Sequence, residues 1–374
     1  MDLKFDSLGL KSNPFRLTPP LDPEEIKWAG MEKVKNQLEN RIRIAIATEP
    51  SKIIINWGSY GSGKTHAALY FSKTQALNRI TNEAKVSAAK SIKIPLPRTS
   101  NDIVQEFLRA FLGQYTLEDI YRDFQELREK LNDNDKIKLL IETFSGDALI
   151  ADLVKRIVFE GQNLDDLKNY LYGESTKTLL KSLKLPYGLE NDEQVANLLS
   201  AFIGCLTYNK QMYSSFFIWI DEFEDIDTVK KSLADRFTAF LRQFIDKTSN
   251  NLTLFINFTQ KTFMNIEDLS LYLGEALFSR ARIMIDFGNP SETEAFKFVN
   301  ELCGFYLLES RSCPFENDDV ILYVIKNIGN ITIRKISETF SIILEMAIIY
   351  NKNVITKDFI ESIKDEIIAW EEAK

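Results

Sequence analysis

One histidine and three cysteines in 374 residues leave little material for several kinds of chemistry. His66, alone, supplies neither a histidine-based triad nor a multi-histidine metal site, and it is expected to pack on a helix rather than to catalyse. Cys205, Cys303 and Cys313 are odd in number and no pair has zinc-ligand spacing, so they make neither a disulfide framework nor a zinc site. Free thiols, buried or partly buried in a reducing cytoplasm, are the expectation. Long apolar runs are missing too. The longest uncharged stretch, 194–209, is too short to cross a bilayer and, with Ser200, Thr207 and Asn209, too polar. The opening MDLKFDSLGLKSNPF lacks the apolar region of a signal peptide, which points to a cytoplasmic protein without membrane contact. There is no internal repeat and no low-complexity tract. What is present, 45% apolar and 27% charged residues, suffices for a large core and argues against long disorder. At about 150 residues per domain the length suggests two or three domains.

Charge is unevenly spread. Residues 1–100 hold 16 basic and 9 acidic side chains, whereas the remainder is acidic and brings the total to −8. A basic first quarter suits phosphate backbones, an acidic face of the next copy in a head-to-tail assembly, or simply solvent. Lys73, Arg79, Lys85, Lys90, Lys93 and Arg98 form the candidate surface for non-specific DNA contact.

The strongest signal is KIIINWGSYGSGKT, residues 52–65. Ile53, Ile54 and Ile55 read as a buried strand. Gly58, Ser59, Tyr60, Gly61, Ser62, Gly63, Lys64 and Thr65 then fit G-x-x-x-x-G-K-[ST], followed by the helix-like HAALYFSKTQAL. Glycines let successive N–H groups face phosphate oxygens. Lys64 adds a charge toward the β- and γ-phosphates, and Thr65 a hydroxyl for Mg²⁺. The helix that follows presents its positive end to the same anion. ATP with Mg²⁺ is therefore the expected ligand pair.

A second signal is SFFIWIDEFED, residues 215–225. Phe216–Ile220 read as a buried strand that ends in Asp221 and Glu222. Asp221 is placed to hold Mg²⁺, and Glu222 to polarise an attacking water as general base. Two acids there could instead cap a following helix, but beside a phosphate loop the pair favours a hydrolysing site.

Through these two motifs the chain resembles an AAA+ ATPase of the origin-recognition and ExeA-like group. That resemblance implies an α/β fold: a three-layer αβα P-loop domain with a parallel sheet and a C-terminal helical lid. It also implies that the strand in LTLFINFTQ, residues 252–260, lies between the phosphate-loop strand and the Asp221 strand. This strand would carry the water-orienting sensor 1, with Asn257 and Gln260 both open. LFSRARIMIDF, residues 277–287, is similar to the segment in which such ATPases carry an arginine finger; Arg280 matches, with Arg282 in reserve. A finger acts in trans on the charge of the transferred phosphoryl group, so a homo-oligomer or an AAA+ partner is implied. GNITIRKI, residues 329–336, resembles the sensor-2 segment, where Arg334 would meet the γ-phosphate from a lid helix. The lead-in LGLKSNPFRLTPP, residues 8–20, is similar to the ExeA-like start that helps hold adenine. The apolar spacing of Met31, Val34, Leu38, Ile42 and Ala45 predicts a helix packed beside the first strand.

The expected division is a lead-in over 1–30, an ATPase core over 31–288 and a helical lid over 289–374, with Asn289-Pro290 as the boundary. Residues 101–200 exceed what a minimal core needs and read as a helical insertion. Within it, DLKNYLYGESTKTLLKSLKLP resembles the ATP-binding proteins of BREX-type phage-defence systems. The lid nearly consumes the 86 residues after 288, so a winged-helix DNA reader is not expected. Two functions follow. One is a hydrolysing switch that loads or regulates an unknown protein partner, on DNA in defence, transposition or replication. The other is a slowly hydrolysing ATP-gated scaffold whose output is partner binding. A small-molecule kinase would explain neither Arg280 nor Arg334.

Overall fold

The computed structural model describes residues 4–18, 25–98, 101–161, 164–261 and 264–370. The end of the lead-in, Pro19-Pro20, and the last four residues expected in the lid lie outside them. The strands are β1 (Lys52–Gly58), β2 (Lys90–Pro95), β3 (Phe216–Asp221), β4 (Leu252–Thr259) and β5 (Ile283–Phe287). The helices run in chain order as α1 (Glu32–Ala47), α2 (Lys64–Phe71), α3 (Thr74–Ala84), α4 (Ile103–Gln114), α5 (Leu117–Leu131), α6 (Asn134–Ser145), α7 (Ala148–Lys155), α8 (Leu164–Leu171), α9 (Lys177–Ser182), α10 (Asp192–Leu206), α11 (Lys231–Lys247), α12 (Leu269–Phe278), α13 (Glu292–Tyr306), α14 (Asp318–Lys326), α15 (Ile333–Ile349) and α16 (Lys357–Ile363). They form two compact units, one of residues 38–57 and 71–285, the other of residues 1–37, 58–70 and 286–374.

The first unit is built on the sheet, whose order is β2-β3-β4-β1-β5. β4 therefore lies between β1 and β3, as the resemblance requires. β2 and β3 are parallel, Lys90 opposite Phe216 and Pro95 opposite Asp221, and β3 and β4 are parallel with Ile220 opposite Ile256. Side chains alternate between the two faces of a strand. On one face Ile53, Ile92, Ile218 and Leu254 join the core formed with the insertion helices. On the other, the Trp219 and Phe255 rings stack 3.9 Å apart, with Phe71 6.1 Å from Trp219.

The expected insertion is helical throughout its named elements, α4 to α10. Most of these helices start with a side-chain cap: Asp102, Thr116, Asp133, Asp147, Thr176 and Asn191 each accept a hydrogen bond from the backbone N–H three residues on. Such a cap stabilises a helix start by roughly 1 kcal/mol. The uncharged stretch noted above is α10, buried from Gln194 to Leu206. A helix buried all round needs no polar face, and this one is wrapped by α4, α5, α6, α7 and α11. Among the described residues no helix is long and apolar enough to cross a membrane.

The second unit has its own core. Leu8, Leu10 and Phe15 of the lead-in pack with Phe315, Phe340 and Ile343 of the lid, with the Phe15 and Phe340 rings 5.3 Å apart. Asn13 Nδ2 donates to Ser341 Oγ at 2.7 Å. Cys205 and Cys303 are buried and Cys313 is half-buried.

Candidate functional site

The residues singled out by sequence fall into two groups, one in each unit. The first is the phosphate loop. Lys64 opens α2 and its ammonium donates to Gly58 O and Ser59 O, both at 2.9 Å, and to Ser62 Oγ at 3.3 Å. These are the acceptors a folded loop offers an ammonium from within its own turn. Two glycines are sterically required. A Cβ on Gly58 would lie 2.5 Å from Phe287 O, and one on Gly61, whose φ is +77°, would lie 2.5 Å from Arg334 Cβ.

Arg334, the second residue of α15, reaches this loop. Its backbone N–H donates to Gly61 O at 3.1 Å. Its Nη1 donates to Tyr60 Oη at 2.7 Å, with the guanidinium 4.9 Å from the Tyr60 ring centre. Glu338, accepting from Arg334 Nε at 2.8 Å, raises the guanidinium pKa further. Ser59 Oγ donates to Asn289 Oδ1 at 3.0 Å, and Asn289 in turn to Asn330 at 3.1 Å. The lid arginine expected from the resemblance and the phosphate loop are thus brought together. His66 is exposed; its Nε2 lies 2.8 Å from Lys27 O, with its ring edge-on to Trp28 at 6.0 Å.

The second group lies on the sheet edge where the strands end. Asn56, Asn257 and Asp221 occupy alternate, same-face positions near the ends of β1, β4 and β3. Asn56 Nδ2 donates to Asn257 Oδ1 at 2.8 Å, and Asn257 Nδ2 donates to Asp221 Oδ1 at 2.9 Å. Lys93 of β2 completes the row, its Nζ 3.1 Å from Asp221 Oδ2. Asn56 and Asn257 are fully buried and Asp221 is 2% exposed, so these bonds form where water cannot replace them.

This row separates the two sensor-1 candidates. Asn257 touches Asp221, whereas the exposed Gln260 turns its Nε2 to Met264 O at 3.0 Å. Two members, Asn56 and Lys93, escaped sequence reasoning as site residues. A signal existed for Asn56, an amide directly after three isoleucines in a strand read as buried.

Glu222 follows in the left-handed conformation, φ 59° and ψ 42°, which costs a non-glycine residue about 1 kcal/mol or more. Its carboxylate is exposed and paired with Arg98, which also holds Asp225 at 2.8 Å. Asp221 and Glu222 do not cap a following α-helix, since α11 begins only at Lys231. Arg280 is tied to Asp246 by two bonds of 3.0 and 3.1 Å. Arg282 is exposed and donates to Ser279 O at 3.3 Å.

The six basic residues proposed for DNA differ in exposure and pairing. Lys73 is 7% exposed and Arg79 pairs with Glu39. Lys90 sits 4.1 Å from the Tyr115 ring centre, where burial lowers its pKa. Lys93 and Arg98 pair with Asp221 and Glu222, and Arg79, Lys85 and Arg98 are exposed.

No protein-family model matches the sequence, and no curated protein does. Among solved structures the chain is similar to the ORC2 protein of Aeropyrum pernix in its ADPNP–ADP complexes, with a TM-score of 0.56 at 11% identity over 95% of this chain and 72% of that one. Cdc6p from Pyrobaculum aerophilum gives 0.49 at 12% identity over 95% and 70%. The first likeness, together with the strand order, shows the fold: an α/β AAA+ fold like that of the ORC2 protein, with a five-stranded parallel sheet.

Proposed function

We propose that the chain is an ATP-hydrolysing AAA+ switch that loads or regulates partner proteins. The observation that carries this reading is the Asn257–Asp221 bond on the sheet edge where β1, the strand that runs into the Gly58–Thr65 loop, also ends. In this reading residues 58–65 cradle the phosphates of ATP. Thr65 and Asp221 would hold Mg²⁺, a donor set that fits, because Mg²⁺ beside phosphates needs only one or two protein oxygens. Among the described residues no cluster of three or more His, Cys, Asp or Glu offers an all-protein metal cage. The chemistry such an ion would supply there is neutralisation of phosphate charge. Glu222 takes the proton of the attacking water, and Asn257, its amide fixed by Asn56 and Asp221, orients that water. Arg334 exchanges Tyr60 for the γ-phosphate and closes the lid, while Arg280, or Arg282 in reserve, reaches the nucleotide of a second copy or an AAA+ partner. We assign residues 1–30 to the adenine end, 31–288 to the catalytic core and 289–374 to the lid.

Two observations favour the alternative, a slowly hydrolysing ATP-gated scaffold. Glu222 is held by Arg98, and Arg280 by Asp246. Light scattering of Glu222→Gln with ATP separates the two. The hydrolysing switch predicts an ATP-stabilised assembly that outlasts the wild type; the scaffold predicts little difference between them.

DNA contact and a defence role are the finer parts of this proposal. The first rests on the basic excess of residues 1–100. The second rests on one block, residues 166–186, which covers most of α8 and all of α9.

A further inference from the structure

The two oxygens of Asp221 are treated differently. Oδ1 accepts from a neutral amide that is itself fixed, since Asn257 Oδ1 is taken by Asn56 from the far side. Oδ2 faces an ammonium, Lys93 Nζ, at 3.1 Å. The ammonium comes from the neighbouring strand, two residues before Pro95, the residue opposite Asp221, so strand register and not a flexible loop delivers it. The Lys93 side chain is 23% exposed and that of Asp221 4%, so the pair is incompletely screened by solvent. A carboxylate meant to hold a divalent cation thus already carries a positive charge on one oxygen. Two cations cannot share that oxygen at full strength.

We propose that Lys93 is a positioning residue that competes with Mg²⁺ for Asp221 Oδ2, and so sets the Mg²⁺ concentration at which the nucleotide site becomes competent. The inference rests on the ATP reading above and adds a residue that no nucleotide motif contains. Its sign is specific: taking the ammonium away strengthens the Mg²⁺ response. A merely structural lysine would change stability and leave the Mg²⁺ midpoint in place. The Asn56–Asn257 relay supports the same end, because it stops the carboxylate from rotating away from either cation.

The test is thermal unfolding of the full chain at saturating ATP, with free Mg²⁺ buffered across its range, for wild type, Lys93→Met and Lys93→Arg. Lys93→Met is expected to reach half of its Mg²⁺-dependent shift at about tenfold lower Mg²⁺, between the small effect of an exposed pair and the large effect of a buried one. Lys93→Arg, which keeps the charge, is expected to stay within about twofold of wild type. Should Lys93→Met fail to fold, Lys93→Gln keeps a hydrogen bond to Oδ2 without the charge and is expected to move the midpoint the same way. An unchanged or higher Mg²⁺ midpoint in the neutral variants, with ATP still stabilising the protein, would overturn the role of Lys93 alone. If ATP stabilises neither wild type nor Lys64→Ala at any Mg²⁺, the ATP reading falls and this inference with it.

Discussion

The phosphate loop and the Asp221 row are opposite solutions to holding polar groups in place. The loop is one contiguous segment. Lys64 bonds to carbonyls five and six residues away, and Arg334, Asn289 and Phe287 reach the loop from far along the chain. The row takes one residue from each of four strands, and its bonds span 36 to 201 positions in sequence. A local turn keeps its form if its glycines are kept. A row across strands depends on register, because a slip of one residue turns every member to the other face. The difference teaches where each is vulnerable: the loop to changes in its own residues, the row to changes anywhere that shift a strand.

Substitutions can break this comparison, and the largest effects belong to the loop. Lys64→Ala is expected to weaken ATP binding by about 100-fold, measured with a fluorescent nucleotide, because a charge-assisted contact to phosphate is lost. Glu222→Gln should lower turnover by roughly 100-fold or more with binding retained, and an unchanged turnover would remove Glu222 as the base. Asn56→Ala is the sharpest probe of the row. It leaves Asn257 Oδ1 without its donor and should cost about 1–3 kcal/mol of stability, read from the urea midpoint. Arg334→Ala should be smallest in stability, within about 0.5 kcal/mol, because its contacts are exposed. Its effect belongs in nucleotide affinity.

The same contrast governs how much could be read from sequence. Gly58 to Thr65 were all legible, since pattern and spacing lie within one segment. Asp221 was legible as the acid at the end of an apolar run. Asn257 and Gln260 stayed open because only strand pairing says which of two polar residues faces a neighbour. Lys93 was counted with the basic residues since its partner is 128 positions away. Asn56 was passed over as a flank of the isoleucine run. Helices in the insertion were visible from their apolar spacing, but α10 as its buried centre was not. The lead-in was matched to adenine, whereas its packing on the lid through Phe15 and Phe340 needs a contact across most of the chain.

The most direct test of the account is ATP turnover per chain against protein concentration, with and without duplex DNA, for wild type and Arg280→Ala. The account predicts turnover that rises with concentration in the wild type and collapses in Arg280→Ala, as it must if a second chain supplies the finger. Added stimulation by DNA would identify the trigger. Negligible turnover at every concentration, with ATP still bound, would contradict a hydrolysing switch and leave the gated scaffold.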